Sequence, residues 1–354
     1  MPEVLFEPTK LGSLALRNRI VMAPMTRDRA GPGDVPSDIM VEYYRQRSGA
    51  GMIVTEGTQP SLEGKGYWRT PGIHSDAQIE GWRRVADAVH SEGGTITMQI
   101  MHCGRVVVAD NRGFEADVVA PSAIACPAKV PGPDGVPQTP QMPRALKASE
   151  LTALAQEFGD AARNARAAGI DGVELHCASG YLINQFLNPV SNLREDEFGG
   201  SPENRARFPI MVLKAMAGSI GADRVGFRIS PGNKYNGMDV SNPWETFTPF
   251  LREANKLGLA YLHVVDMGED CPDTLAMCRE SFSGPIIANN GFNAERAEHV
   301  LAHGKAQAVS FGLKFIANPD LPYRFRNDAE LAKPDFDKIY TGEAAGYCDY
   351  PALA

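Results

Sequence analysis

The chain has 354 residues, 43 % of them hydrophobic and 22 % charged, which excludes a wholly disordered polymer and leaves ample apolar side chain for a core without disulfide staples. A net charge of −8 with no Lys/Arg-rich run excludes the electrostatic footprint of a nucleic-acid or anionic-membrane binder. No 18-residue apolar run marks a membrane span, and the charged N-terminal stretch has no signal-peptide core. Short apolar runs then recur along the chain: IVMAPM (20–25), MIVTEG (52–57), TITMQIMH (95–102), GVELHCAS (172–179), VGFRIS (225–230), YLHVVDM (261–267), PIIANNG (285–291) and AVSFGL (308–313). Their apolar, β-branched character predicts strands buried on both faces.

Amphipathic helical patterns separate the runs. DAQIEGWRRVADAVHSEGG begins near Asp76 and stops at Gly93 and Gly94. SELTALAQEFGDAARNARAAG has Ser149 as its expected N-cap and Gly169 as its stop, and NAERAEHVLAHG lies between Asn293 and Gly304. Eight strand–helix units predict a closed (β/α)8 barrel, taken as one domain over residues 1–354, with an N-terminal cap and long loops after strands three and four. An open doubly wound sheet is the alternative, weakened because no G-x-G-x-x-G follows any strand. The Pro-rich stretch 103–148 reads either as a lid or rim over the barrel mouth or as a tolerated surface insertion. The six cysteines form no C-x-x-C pair and no metal-ligand spacing, so reduced thiols, a cytoplasmic location and no metal are expected.

Side chains at the C-terminal ends of barrel strands converge on one mouth. The candidates there are Thr26, Glu56, Gln99, His102, His176, Ser179, Arg228 and Asp266. The set has few carboxylates and no Ser-His-Asp pattern, and it suits hydrogen bonding to a large planar heterocycle better than hydrolysis. GPIIANNGFN and FGLKFIANPD put backbone amides near Gly291 and Gly312 beside helix N-termini, where barrels commonly hold phosphate. A ring site plus a phosphate site suggests flavin mononucleotide (FMN), although glycines at barrel turns also have a purely structural reading.

The words of the sequence supply more. LFEPTKLGSLALRNRIVMAPMTRDRA, MQIMHCGR, VELHCASGYLINQFLNPVSNLREDEFGGSPENRARF, VGFRISP, FGLKFIANPDLPYR and the tail YTGEAAGYCDYPAL stand in the order and spacing of the Old Yellow Enzyme family, which the chain resembles from about residue 4 to residue 353. The resemblance implies noncovalent FMN in a (β/α)8 barrel, reduced by NADPH or NADH and reoxidised by an electron-poor alkene, in a monomer or homo-oligomer. It implies that Thr26, Gln99, His176 and Arg228 meet the flavin ring, that backbone at Pro24, Met25 and Gly57 lines it, and that Asn290, Gly312 and Leu313 reach the phosphate. It further implies that His176 donates to the substrate carbonyl, Tyr181 delivers a proton, and Tyr67, Met101 and Tyr340 line the substrate pocket.

Three positions depart from the family pattern. Ser179 stands where the histidine's partner is usually Asn or His, and a hydroxyl reaches less far than an amide or imidazole. Met101 replaces the usual tryptophan and predicts a wider, softer pocket. Leu313, followed by Lys314, replaces the family's phosphate-contacting arginine, which predicts weaker hold on FMN. Two other functions stay open from the residues: a non-redox phosphate-binding barrel such as an aldolase or isomerase, and a flavin-binding barrel with weak ene-reductase activity.

Overall fold

In the computed structural model, which describes residues 3–268, 271 and 273–353, eight parallel strands close into a barrel. They are β1 (Ile20–Met22), β2 (Met52–Val54), β3 (Ile96–Ile100), β4 (Gly172–His176), β5 (Val225–Ile229), β6 (Tyr261–Val265), β7 (Ile286–Asn289) and β8 (Ala308–Phe311). Each pairs with the next along the chain, and β8 returns to β1 through Val309↔Ile20 and Phe311↔Met22. All eight apolar runs thus form strands, and the open-sheet alternative is overturned because no edge is left. The domain bounds drawn at residues 1 and 354 lie outside the described residues.

The strands are followed by α1 (Asp38–Gln46), α2 (Asp76–Ser91), α3 (Leu151–Ala167), α4 (Pro202–Ile220), α5 (Pro243–Asn255), α6 (Thr274–Ser281), α7 (Ala294–Ala302) and α8 (Leu321–Arg326). Helix α2 shows how they form. Ser75 and Gln78 close a reciprocal capping box at its start, and Trp82, Val85, Ala86 and Val89 bury one face against the barrel. Trp82 also gives its indole N–H to Gly72 O at 3.0 Å, so its polar atom is satisfied inside the core. Each such fully buried large side chain contributes roughly 1.5–3 kcal/mol. Asn293 caps α7 by accepting from the Arg296 amide. The expected cap at Ser149 is not used: a 3-10 turn, Ala148–Glu150, leads into α3, and the Glu150 carboxylate accepts from the Lys147 amide at 2.6 Å. The longer acidic side chain reaches back one turn and displaces the hydroxyl from that role.

The two ends of the barrel differ. At the N-terminal end an antiparallel pair, Thr9–Leu11 with Leu14–Leu16, forms the expected cap, and its leucines pack on Val21, Met52, Val54, Ile287 and Ala308. At the C-terminal end the stretch 103–148 carries a small hairpin, Val130–Pro131 with Pro137–Gln138, and a parallel pair, Val119–Ala120 with Arg144–Ala145. No helix of the described residues is long and apolar enough to cross a membrane.

Candidate active site

A cavity of about 470 Å³ opens at the C-terminal mouth of the barrel, within the size range of small-molecule sites. Pro24 and Thr26 beyond β1, Gly57 beyond β2, Gln99 from β3 and Met101 just beyond it, His176 from β4 and Ser179 beyond it, and Arg228 from β5 line it. Tyr67, Tyr181 and Tyr340 complete the wall from three separate loops. The tip of the 130–138 hairpin, Pro131 to Pro133 and Gly135, also lines the cavity, which decides the long-loop question in favour of a rim.

Beneath this floor lies a buried polar network. Glu174 accepts from Gln99 Nε2 and from His263 Nδ1, each at 2.8 Å. Arg228 donates through Nη2 to Asn289 Oδ1 at 2.7 Å and through Nη1 to His263 Nε2 at 2.7 Å. Burial opposes the charge on Glu174, but His263, Arg228 and Gln99 outweigh it and hold its pKa below the usual carboxylate range. Burial, reinforced by the Arg228 charge, pushes His263 down to about 4, so it sits neutral between them. Gln99 gives its amide N–H to Glu174 and keeps its carbonyl oxygen as an acceptor, while the Arg228 charge has a matched anion below the cavity.

The HCASGY turn aims the reactive groups. Ser179 and Gly180 both adopt left-handed backbone, φ +56° and +75°. A Cβ at Gly180 would stand 2.6 Å from Asn236 Cβ and 2.8 Å from Tyr235 O, so only glycine fits. Three hydrogen bonds pin the turn: Ser179 N to Ser230 Oγ, Asn236 Nδ2 to Ser179 O and Gly180 N to Asn184 Oδ1. Tyr181 then packs its ring 5.1 Å from that of His176 and shares a 2.9 Å hydrogen bond with the Tyr67 hydroxyl. Burial raises the Tyr181 phenol well above its ordinary pKa, so it keeps its proton. Burial and the Arg228 charge push His176 down to about 3, and its Nδ1 has no hydrogen-bond partner among the described residues. It is a neutral imidazole with an uncommitted polar edge.

Not every expected residue converges here. Glu56 turns away into the core and accepts from the Tyr44 hydroxyl at 3.2 Å. His102 stacks on Phe158 of α3, its Nδ1 accepting from the Gly104 amide. Asp266 lines a separate groove between α6 and α7. Each lies just beyond the last residue of its strand, where the chain has left the period-two alternation. Met25, Asn290, Gly312 and Leu313 do not line the cavity. Met25 lies within van der Waals reach of Gly312, which precedes the short helix Leu313–Ala317, and the Leu313 side chain is exposed. Asn290 and Gly291 take left-handed backbone at the end of β7, φ +85° and +69°. Sequence reasoning missed Asp28, Trp68, Tyr235, Phe336 and Asp337, which also line the cavity. Nothing in the TRDRA segment signals contact with a tail some 300 residues away.

The residues fit FMN. Thr26, Gln99 and Arg228 bring donors and an acceptor to one cavity, the histidine has an orphaned buried nitrogen, and the chain following β7 and β8 offers backbone amides. Among the described residues no lysine lines the cavity, which removes the Schiff-base reading, and no group of three His, Cys, Asp or Glu could hold a metal.

Residues 4–332 match the NADH:flavin oxidoreductase / NADH oxidase family. The chain is 40 % identical over 370 residues to 12-oxophytodienoate reductase 2 of Arabidopsis thaliana, covering 99 % of this chain and 96 % of that one. It is 41 % identical over 357 residues to a probable flavin mononucleotide-dependent alkene reductase of Leishmania infantum, covering 99 % and 98 %. Among solved structures, morphinone reductase superposes with a TM-score of 0.94 at 41 % identity, covering 100 % and 97 %. The old yellow enzyme homologue from Zymomonas mobilis gives a TM-score of 0.94 at 40 % identity, covering 99 % and 100 %.

Proposed function

Because the chain belongs to the Old Yellow Enzyme family of NADH:flavin oxidoreductases, we propose how its own residues carry out the family's reaction. The protein is an FMN-dependent NAD(P)H oxidoreductase, an ene-reductase, and its acceptors are small activated alkenes. FMN, when bound, would supply the hydride chemistry that links NADPH or NADH to the β carbon of the alkene.

Thr26, Gln99 and Arg228 hold the ring edge, with backbone at Pro24, Met25 and Gly57 beside it. Asn290, Gly312 and Leu313 would hold the phosphate through backbone amides, and Lys314 beside them would add a positive charge. His176 donates its imidazole N–H to the acceptor's carbonyl oxygen, where negative charge grows during reduction. A donor aimed at that oxygen lowers the barrier by roughly 3–4 kcal/mol. Ser179 offers a second, weaker donor. Tyr181 delivers its phenolic proton to the α carbon, oriented by the Tyr67 hydroxyl, and its raised pKa keeps that proton in place until charge develops on the substrate. Met101 and Tyr340 shape the acceptor pocket. The free cysteines support a cytoplasmic location, and the acidic surface argues against nucleic acid as a partner.

The single observation that carries this reading is that Thr26, Gln99, Arg228 and His176, spread over more than 200 residues of chain, line one cavity beside Tyr181. The test is anaerobic. Yellow protein bleached by NAD(P)H should regain its colour when N-ethylmaleimide or cyclohexenone is added. Protein purified without FMN and unable to bind it, or reduced protein that neither alkene reoxidises, would overturn the reading.

A further inference from the structure

The outer wall of the cavity has a charge pattern that the reduction of a simple enone does not use. Two carboxylates line it, Asp28 and Asp337, among the aromatic side chains of Tyr67, Trp68, Tyr235 and Tyr340. Among the described residues Arg228 is the one cation that lines the cavity, and Glu174 already answers its charge. Asp28 Oδ1 is buried and has no hydrogen-bond partner among the described residues. The residue itself lines the cavity, and a desolvated carboxylate left without a partner is costly, so Asp28 marks a place for a positive charge to arrive.

The arginines near Asp28 do not fill that place. Arg27 gives its guanidinium to Ile339 O, Gly346 O and the Tyr43 hydroxyl. Arg29 donates to the carbonyls of Lys338, Ile339 and Glu343, and Arg69 to Ala30 O and the Glu343 carboxylate. All three tie the β1 loop to the C-terminal tail, and none of these hydrogen bonds goes to Asp28, which lines the cavity. We propose that Asp28 anchors a cationic substituent, so that this site takes activated alkenes carrying a protonated or quaternary amine. Tyrosine and tryptophan side chains line the same cavity, and aromatic rings attract such a cation further. The proposal rests on the cavity being the acceptor site.

Ionisation of Asp28 tunes the preference. Burial and the neighbouring Glu56 push Asp28 up to about 8, against the partial relief given by Arg29, Arg69 and Arg27. Glu56, raised to about 7 by its own burial, lies behind it, and Tyr340 is raised by burial and by Asp28 itself. Asp28 is therefore largely protonated below its raised pKa and anionic above it, so selectivity for a cation grows as pH rises.

The test compares two isosteric ketones that the enzyme cannot reduce, 4-(trimethylammonio)cyclohexanone and 4-tert-butylcyclohexanone, titrated calorimetrically into the FMN-loaded protein at pH 6.5 and 8.5. The affinity ratio of cation to neutral probe should rise several-fold with pH. In Asp28→Asn at pH 8.5 it should fall by about tenfold, the scale of one partly screened cation–carboxylate pair. A ratio that ignores both pH and substitution overturns the proposal. Should Asp28→Asn fail to fold, Asp28→Ser and the pH series on the unsubstituted protein decide in the same way. Reoxidation by N-ethylmaleimide is run in parallel: its absence defeats the enzymatic reading, whereas a flat affinity ratio with normal reoxidation defeats the role of Asp28 alone.

Discussion

Replacing His176 and Ser179 separately by alanine measures how unequally the two donors hold the acceptor oxygen. His176 is neutral, with an imidazole nitrogen that nothing in the described protein engages, and it lies 5.1 Å ring to ring from the Tyr181 phenol. Removing a donor of this kind costs roughly 10²–10³-fold in rate. Ser179 is held by its backbone in a left-handed turn and offers one neutral hydroxyl. A neutral hydrogen bond is worth about 0.5–1.5 kcal/mol, so its loss should slow the step by roughly 2- to 13-fold. The assay is anaerobic stopped-flow reoxidation of the reduced protein by cyclohexenone, with reduction by NAD(P)H followed separately. His176→Ala should lose at least about tenfold more reoxidation rate than Ser179→Ala. Equal losses would refute the division of labour and make the serine a full partner.

Tyr181→Phe removes the proton donor and should lower cyclohexenone reoxidation by roughly 10²-fold or more, whereas Tyr67→Phe, which removes only the donor's hydrogen-bonding neighbour, should cost less in the same assay. Met101 packs so closely on Gly57 that a Cβ there would meet its methyl at 2.7 Å. Met101→Trp must therefore expand into the cavity, and kcat/KM for bulky enones should fall relative to cyclohexenone; an unchanged ratio would contradict the pocket-width argument. Because burial and the Arg228 charge hold His176 near 3, its imidazole should show no titration between pH 5 and 9 in nitrogen-15 NMR spectra, while an exposed histidine titrates near 6.5. Glu174→Leu strands Arg228 without its buried anion and should cost about 3–5 kcal/mol of stability, read as a clear drop in Tm.

The barrel was legible because each strand is an uninterrupted apolar run and each helix an amphipathic one, so local pattern and global fold agree. Ser149 misled because a hydroxyl is a good cap in isolation, while the neighbouring Glu150 reaches the Lys147 amide and sets the turn first. Gln99, His176 and Arg228 could be found because a polar side chain on an otherwise buried strand has few reasons to be there. Glu56 and His102 carry the same signal but lie two residues past the ends of β2 and β3, where the chain has left the strand and turns them toward α1 and α3. The family resemblance supplied Tyr181, Tyr67 and Tyr340, which sit on loops whose course no periodicity predicts. Asp28 escaped notice because its meaning depends on Tyr340 and Asp337, brought against it only by the arginine contacts to the C-terminal tail.

A crystal structure of the FMN-loaded protein with a phenol that mimics the acceptor carbonyl tests the central claim most directly. The account predicts the flavin ring against Thr26, Gln99 and Arg228, and the phenol oxygen within hydrogen-bonding distance of the His176 imidazole. A flavin seated elsewhere, or a phenol bound in the cavity with its oxygen turned away from His176, would contradict it.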